Sequence, residues 1–275
     1  MIHLGKFNTL TIARKSEFGL YLTDDEQKEV LLPRRFVPES FEIGDELSVF
    51  VYLDSENRLT ATTQKPIAQV GDFASFKVVS NEASGAFLDW GLAKDLFLPF
   101  SEQSRRLRVG DFVIAYVYID NTDRLAASMR LDRNLTNSAE GLAENQEVEI
   151  LVAAKTDLGY KAIIANKIWG IIYFNEVFKD LPLGTRTKAF IKKLRQDGKI
   201  DLSLQRIGHQ AADDIAPLIL KKLKDNKGFL EINDKTSAEL IYEMFGVSKK
   251  KYKMALGSLY KQRLITVSDD GIRLV

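Results

Sequence analysis

Two clusters of cations carry the clearest chemistry in this chain. Lys188, Lys192, Lys193, Arg195 and Lys199 gather within twelve residues, with Tyr173 upstream as an aromatic neighbour, and Lys249, Lys250, Lys251 and Lys253 crowd a second short segment. Ammonium and guanidinium groups beside a ring suit a single-stranded polyanion, whose phosphates are tracked by charge and whose bases stack. The charge distribution agrees. Residues 1–143 hold 16 Lys+Arg against 21 Asp+Glu, a balance of −5, whereas 144–275 hold 23 against 17, a balance of +6. The near-neutral total of +1 is therefore a cancellation between halves.

Catalytic chemistry finds little to work with. Cysteine is absent, so there is no thiolate nucleophile, disulfide or cysteine-ligated zinc, and only His3 and His209 are available as imidazoles. The acidic pairs Asp24/Asp25, Asp213/Asp214 and Asp269/Asp270 fall where turns and a helix cap need acids, and His209 falls in a linker. Asp54 and Asp120 have no second carboxylate at a recurrent spacing to share a magnesium ion. No nucleophile–base pair or phosphate-cradling glycine loop appears, so the reading is of no enzyme, no cofactor and no metal. With no apolar run near the ~18 residues that span a bilayer and no signal-peptide pattern, a cytoplasmic protein is expected, a monomer rather than an obligate oligomer.

The elements that position these groups repeat. Gly19, Gly85 and Gly159 are each followed, fourteen residues on, by Pro33, Pro99 and Tyr173, which close apolar clusters. Twenty-five residues after each anchor stand Gly44, Gly110 and Gly184, followed by alternating runs from Leu47, Val113 and Thr187. Polar turns then lead to Arg58, Arg124 and Lys199, the last displaced by one residue. Five short period-two strands in each 60–65-residue copy, separated by Gly/Asp/Asn turns, suggest a closed barrel that hides its edges. The middle copy, with Ser84-Gly85-Ala86-Phe87-Leu88-Asp89 and Leu96-Phe97-Leu98-Pro99, resembles the S1 domain, an oligonucleotide-binding barrel.

From about residue 208 the texture changes. Asp213/Asp214 can cap a helix bearing Ile219, Leu220 and Leu223, with Pro217 in its first turn. Residues 228–232 read as a strand. Thr236 and Glu239 look like a capping box for a second helix that ends at Gly246, and Ser248 caps a third. Strands at 264–267 and 272–275 flank an Asp269-Asp270-Gly271 turn. That order is winged-helix. In the third helix Tyr252, Ala255, Leu256 and Leu259 form a core face opposite Lys250, Lys253, Gly257 and Lys261. Lysines at its N-terminus oppose the helix dipole, an arrangement that helix stability does not select. The fold expected is mainly β and multidomain: three tandem S1/OB-fold five-stranded barrels at 1–65, 66–132 and 143–206, then an α+β winged helix at 209–275.

Together with Ile232-Asn233-Asp234-Lys235-Thr236, Phe245-Gly246-Val247-Ser248-Lys249 and Ala255-Leu256-Gly257, this architecture resembles the YitL/CvfB (conserved virulence factor B) family over nearly the whole chain. The resemblance implies a regulatory RNA-binding protein. It also implies a binding face with an aromatic before the anchor glycine, another two residues after it, a ring or histidine at the fourteenth, and an Asp and Arg on the last strands. The first copy supplies Phe18, Tyr21, Pro33, Asp54 and Arg58, and the second Ser84, Phe87, Pro99, Asp120 and Arg124. The third supplies Leu158, Lys161, Tyr173, Arg195 and Lys199. Strand alternation separates Tyr21 and Phe87 from the core-facing Leu20/Leu22 and Ala86/Leu88, leaving them free to stack or to be covered by a neighbouring domain. Phe18 needs a bulge at Gly19 to share that face. Lys192 and Lys193, being adjacent, should point to opposite faces. Single-stranded RNA is therefore the expected partner, held mainly by the third barrel with Lys192, Lys193, Arg195 and Lys199, and by Lys249, Lys250 and Lys253. The first two barrels are weak binders or spacers. A winged-helix regulator on duplex DNA is the alternative, although the third helix exposes no Arg, Asn or Gln for bidentate base contacts. So is a protein adaptor using the acidic first half.

Overall fold

The computed structural model describes residues 1–136, 138–177, 181–205 and 215–275. The expected cap at Asp213/Asp214 and the linker residue His209 lie outside them. Two compact units divide the chain, Met1–Leu135 and Thr136–Val275.

The first unit holds two closed barrels. One runs β1 (Phe7–Lys15), β2 (Gly19–Thr23), β3 (Glu29–Pro33), β4 (Glu46–Leu53) and β5 (Leu59–Thr62), closing in the order β1-β2-β3-β5-β4. The next repeats it with β6 (Phe73–Glu82), β7 (Gly85–Asp89), β8 (Leu96–Pro99), β9 (Phe112–Ile119) and β10 (Leu125–Ser128). In the second unit β11 (Glu147–Lys155), β12 (Gly159–Ile164), β13 (Ile168–Tyr173), β14 (Arg186–Leu194) and β15 (Ile200–Ser203) form a third with the same closure. The five-stranded barrels inferred from the repeat are all present.

The repeat spacings are now physical distances. Gly19, Gly85 and Gly159 pair across the hairpin with Pro33, Pro99 and Tyr173, so the spacing of fourteen is a strand register. A Cβ on these glycines would meet the carbonyl oxygen of Leu32 at 2.0 Å, of Leu98 at 2.4 Å and of Ile172 at 2.1 Å. The later glycines answer a different need. Gly44 and Gly110 have open space around them but φ of +100° and +92°, where side chains strain the backbone. Their amides, and that of Gly184, donate to Ile12, Val78 and Val152 on each barrel's first strand. Immediately past those residues the first strand bulges, the ladder skipping Ala13, Val79 and Ala153. The irregularity thus sits on the preceding strand, and the bulge at Gly19 that Phe18 would need to share the face of Tyr21 is not in the β2–β3 register.

Burial separates the barrels further. In β4, residues Val49 to Tyr52 are buried on both faces: Val49 and Val51 belong to the barrel's own core, while Phe50 and Tyr52 pack with Trp90, Ala68 and the interior of the second barrel. Phe50 meets Trp90 edge-on, with ring centroids 5.6 Å apart. The two barrels of this unit thus share a continuous apolar seam. In the second unit Thr136 donates to the carbonyl of Lys167 at 2.7 Å, and Ala139 and Leu142 pack on the third core, so the polar stretch before it is bound to the barrel.

The C-terminal region comprises α1 (Ala216–Asp225), β16 (Phe229–Leu230), α2 (Ala238–Phe245), α3 (Lys249–Lys261), β17 (Ile265–Ser268) and β18 (Gly271–Leu274), with sheet order β16-β18-β17. This is the winged helix. Tyr252, Ala255, Leu256 and Leu259 are buried as periodicity required, and Ser248 caps α3 through the Lys251 amide at 3.3 Å. The cap of α2 is a correction. Ser237, not Thr236, accepts from the Leu240 amide, because Thr236 turns its hydroxyl to the Asn233 amide at 2.8 Å and closes the preceding loop.

Two classes of glycine imply two sizes of defect. Gly19→Ala should lower stability by ~2–4 kcal/mol, as the strand pair must separate to admit a methyl, whereas Gly110→Ala should cost ~1 kcal/mol from backbone strain alone. Urea midpoints of the two variants check the ranking.

Candidate nucleic-acid interface

The outer face of the second, third and fifth strands is where alternation places side chains that the barrel cores cannot use. On β2, Leu20 and Leu22 are buried and Tyr21 lies between them on the other face; on β7, Ala86 and Leu88 flank Phe87 likewise. The three copies then diverge.

In the first, the guanidinium of Arg14 lies over the Tyr21 ring, 3.7 Å from its centroid, and pairs with Glu29 at 2.7 Å. The Glu29 bonds raise the Arg14 pKa, and those from Arg14 lower that of Glu29. One face of Tyr21 is thus occupied by a cation already fixed. Arg58 is also committed: Nε and Nη2 donate to one Asp54 oxygen at 2.9 and 2.8 Å, and Nη1 pairs with Glu56 at 2.7 Å. Phe18 stands free at the end of the hairpin, 63% exposed.

Asp54 and Asp120 do the same structural job. Each accepts two amides of its own turn at one oxygen, Glu56 and Arg58 for Asp54, Thr122 and Arg124 for Asp120. Desolvation pushes both carboxyls up, but the donors outweigh it: the amide and guanidinium of Arg58 for Asp54, the Thr122 hydroxyl and the Arg124 amide for Asp120. Both pKa values lie below the ordinary carboxylate range. The equivalent acid in the third copy has moved to Asp197, whose Oδ1 accepts the Lys199 amide at 3.3 Å.

In the second copy the face opens into a cleft of 740 Å³. Phe87 and Phe97 face each other across β7 and β8 with centroids 5.3 Å apart and planes at 44°. Arg124 lines the same cleft and has no ion pair among the described residues. The wall opposite comes from the first barrel, through Tyr52, Ser55 and Asn57. Lys94 crosses the seam, its ammonium donating to the carbonyls of Leu53 and Asp54 at 3.1 and 2.8 Å. Burial, then the charge of Arg124, lower its pKa.

The aromatic missing at Ser84 has a substitute. The carbonyls of Phe18, Ser84 and Leu158 accept the amides of Arg34, Phe100 and Phe174, so these pairs occupy one end of the hairpin. Where the first copy puts its ring on Phe18, the others put theirs across the strands, at Phe100 (54% exposed) and Phe174. Comparing the copies at the residue after Pro33, Pro99 and Tyr173 carries that signal; the motif alone does not. Phe97 was missed because an apolar run conceals which ring faces outward, and Trp90 because its burial against Phe50 of the first barrel has no local signal.

The third copy brings its cations together and then pairs most of them. Lys161 lies over the Trp169 ring at 4.0 Å. The Tyr173 hydroxyl accepts from Arg195 at 3.2 Å and stands 3.4 Å from an Asp201 oxygen. Arg195 pairs with Asp197 at 2.9 Å, Lys199 with Asp197 at 3.4 Å, and Lys188 with Glu147 at 2.6 Å. Lys192 bonds Glu176, a carboxylate also held by the Ser203 hydroxyl. Lys193 is exposed, without an ion pair among the described residues. The ladder skips Lys192, so the strict alternation expected of Lys192 and Lys193 is interrupted there.

On α3, Lys250, Lys253, Gly257 and Lys261 are exposed. Lys253 reaches Asp234 at 3.4 Å, and Lys249, half-buried, donates to the Lys235 carbonyl at 3.0 Å. Lys249 thus ties the helix start to the preceding loop. No described helix is long and apolar enough to cross a membrane.

These outer faces sit on domains of known kinds. The S1 domain model matches residues 4–64 and 70–130, and the CvfB-like winged helix domain model matches 218–274. The third barrel lies outside both matches yet has the same topology. The chain is 30% identical over 267 residues to the uncharacterized protein YitL of Bacillus subtilis, covering 94% of this chain and 89% of that one. It is 26% identical over 245 residues to conserved virulence factor B of Staphylococcus epidermidis, covering 86% and 82%. A crystal structure of a multidomain protein with nucleic acid binding domains from Streptococcus pneumoniae aligns over 99% of this chain and 98% of that one, with 24% identity and a TM-score of 0.43.

The turn carboxylates give a test by pH. Removing the Asp120 acceptor with Asp120→Ala should cost ~1 kcal/mol near neutrality. Because its folded pKa is depressed, that stabilisation is present above the unfolded value of about 3.9 and disappears as pH falls through the folded one. Parent and variant should therefore converge in thermal stability in strong acid. Magnesium should leave both unchanged near neutral pH.

Proposed function

The chain belongs to the conserved virulence factor B family, and from that premise we propose that it is a non-catalytic RNA-binding protein that holds single strands and regulates gene expression after transcription. Both matched domain types, S1 and winged helix, are binding modules. One observation carries the reading: each barrel's outer face sets a ring beside a cation, Tyr21 with Arg14, Phe87 in the cleft with Arg124, and Trp169 with Lys161. A duplex hides the faces of its bases, whereas a single strand offers them to such rings while its phosphates remain within reach of the cations.

The basic third barrel and α3 are the proposed phosphate-tracking surface. The carboxylates there do not oppose this. An exposed ion pair contributes ~0–1 kcal/mol, so a phosphate can take the place of Asp197 or Glu147 at little cost. Such pairs also preset their cations: Tyr173 and Asp201 hold Arg195 in position before any ligand arrives. The winged helix has the fold of a duplex reader, but its exposed lysines supply charge without the planar donors that distinguish bases.

Fluorescence anisotropy with single-stranded RNA, single-stranded DNA and duplex DNA across a salt series tests the reading. Preference for RNA with a steep salt slope is the expected result; duplex preference would transfer the function to the winged helix. Lys192→Glu, Lys193→Glu and Arg195→Glu together should weaken RNA binding tenfold or more, and flatten the slope by roughly 0.7 per lost phosphate contact. Arg34→Glu with Arg35→Glu should change affinity less than about twofold. Equal losses from the two sets would rule out the third barrel as the principal surface.

A further inference from the structure

The first and fourth strands of the second barrel, β6 and β9, take no part in the ring-bearing face, and their outer surface carries a patch of another kind. On β9 the core takes Val113, Ala115 and Val117, so Phe112 and Ile114 point outward. Across the ladder Phe112 pairs with Lys77 and Ile114 with Ser75. Val109, in the turn before β9, and Phe112 are 64% and 66% exposed. The same loop carries Arg105, Arg106 and Arg108. Arg105 is held by Asp111 at 2.7 Å, while Arg106, Arg108 and Lys77 are exposed and have no ion pair among the described residues.

Barrel closure does not ask for this. Counting from the turn glycine, the first barrel has Glu46 where the second has Phe112, and the third has Arg186. Where the second has Arg105 and Arg108, the first has Glu39 and Glu42. The same barrel thus closes with charge at the position of the ring and with acids at the positions of the arginines. An exposed ring forgoes the burial that makes it favourable, and neighbouring guanidinium groups without carboxylates repel one another. Stability selects neither feature. Exposed apolar groups rimmed by arginine have the composition of a protein interface.

We infer that this patch docks another protein, and that the element it takes is an acidic amphipathic helix, independently of whether the chain binds RNA. Charge sets the sign of the partner: Arg106, Arg108 and Lys77 form a basic rim that carboxylates complement. Topology sets its form. β6 is laddered to β7 and β9, and β9 to β6 and β10, so neither offers a free edge to an added strand. The partner must bring side chains rather than backbone, and a helix with an apolar stripe does so. A nucleic-acid strand fits this surface worse. Val109 and Ile114 are branched and give a base no plane to stack on, and Tyr116, next in the outward row, is packed on Phe73 with centroids 4.8 Å apart. The seam leaves the patch open, because Leu125, the residue that abuts Gly5 of the first barrel, pairs with Ile119 at the far end of β9.

A display library of random peptides of about fifteen residues, four helical turns, supplies the probe when selected on the full-length protein. The enriched peptides should carry apolar residues at i, i+3, i+4 and i+7 and an excess of Asp and Glu. By fluorescence anisotropy their affinity should fall about tenfold with Phe112→Ser, and about fivefold with Arg106→Glu and Arg108→Glu together. These side chains are exposed, so the barrel closes without them; circular dichroism checks each fold, and Val109→Ser replaces any variant that fails. RNA affinity should change less than about twofold in every variant. A library that yields no acidic amphipathic peptide, or peptides that bind all variants equally, would overturn the inference. RNA affinity that falls with Phe112→Ser would give the patch to a strand instead. Self-association in light scattering that Phe112→Ser abolishes would give it to a second copy. Either result overturns the helix, and neither decides whether RNA binds elsewhere on the chain.

Discussion

A sheet of five strands closes on itself only if its first strand can serve two neighbours that lie in different directions. In β1 the residues Phe7–Thr11 pair with β4 and Thr11–Lys15 pair with β2, and one alanine bulges just past the changeover. The ladder would be left with unpaired amides there, but the turn at Gly44 supplies them: Ile12 exchanges hydrogen bonds with Gly44 and Asp45. The same exchange joins Val78 to Gly110 and Asp111, and Val152 to Gly184 and Thr185. The other fixed point is the anchor glycine, where the facing carbonyl comes too close for any side chain. These two constraints are identical in the three barrels. They explain why the glycines recur at fixed spacing while almost everything on the outside varies.

That freedom on the outside has been used in three ways. Barrel 1 turns Phe50 and Tyr52 outward into a neighbour, so its fourth strand is buried on both faces and a seam results. Barrel 2 receives that seam and keeps its own outer rings beside it, which makes a cleft from two convex bodies. The third barrel places at equivalent strand positions Phe190 and Lys192, and its outer surface is a lattice of ion pairs. Identical closure thus leads to an apolar junction, an aromatic cleft and a charged field.

The interior of this arrangement was legible in the sequence, and the exterior only in part. Core positions announce themselves by alternation and by helical period, and Tyr252, Ala255, Leu256 and Leu259 obey the latter without exception. Glycine spacing marked the repeat, and the structure turns its fourteen-residue step into a strand register. Site residues are another matter, because a side chain's availability depends on partners distant in sequence. Arg58 and Arg124 occupy one motif position, yet the first is clasped by Asp54 and Glu56 and the second is not paired within the described residues. Glu56 is replaced by Thr122 in the second turn, and Asp120 accepts the Thr122 hydroxyl where Asp54 accepts the Arg58 guanidinium. Lys192 and Lys193 look equivalent as neighbours; a bulge and Glu176 separate them. Cross-seam relations, such as Lys94 reaching carbonyls forty residues earlier, have no periodic signature at all.

The carboxylates woven through the third barrel bear on how such a surface discriminates. A field of unpaired lysines would bind any polyanion in proportion to its charge density, and duplex DNA would win. Interleaving Glu147, Glu176, Asp197 and Asp201 among the cations lowers that general attraction, since a phosphate that reaches a paired cation must displace a carboxylate before it gains the contact. The displacement is nearly neutral for an exposed pair. A ligand that brings only phosphates therefore gains little, while one that also stacks a base adds ~1–3 kcal/mol per ring that the carboxylates do not tax. On the proposed RNA-binding reading, mixed charge beside Tyr173 and Trp169 would shift the balance from charge density towards exposed bases, the property that separates a single strand from a duplex.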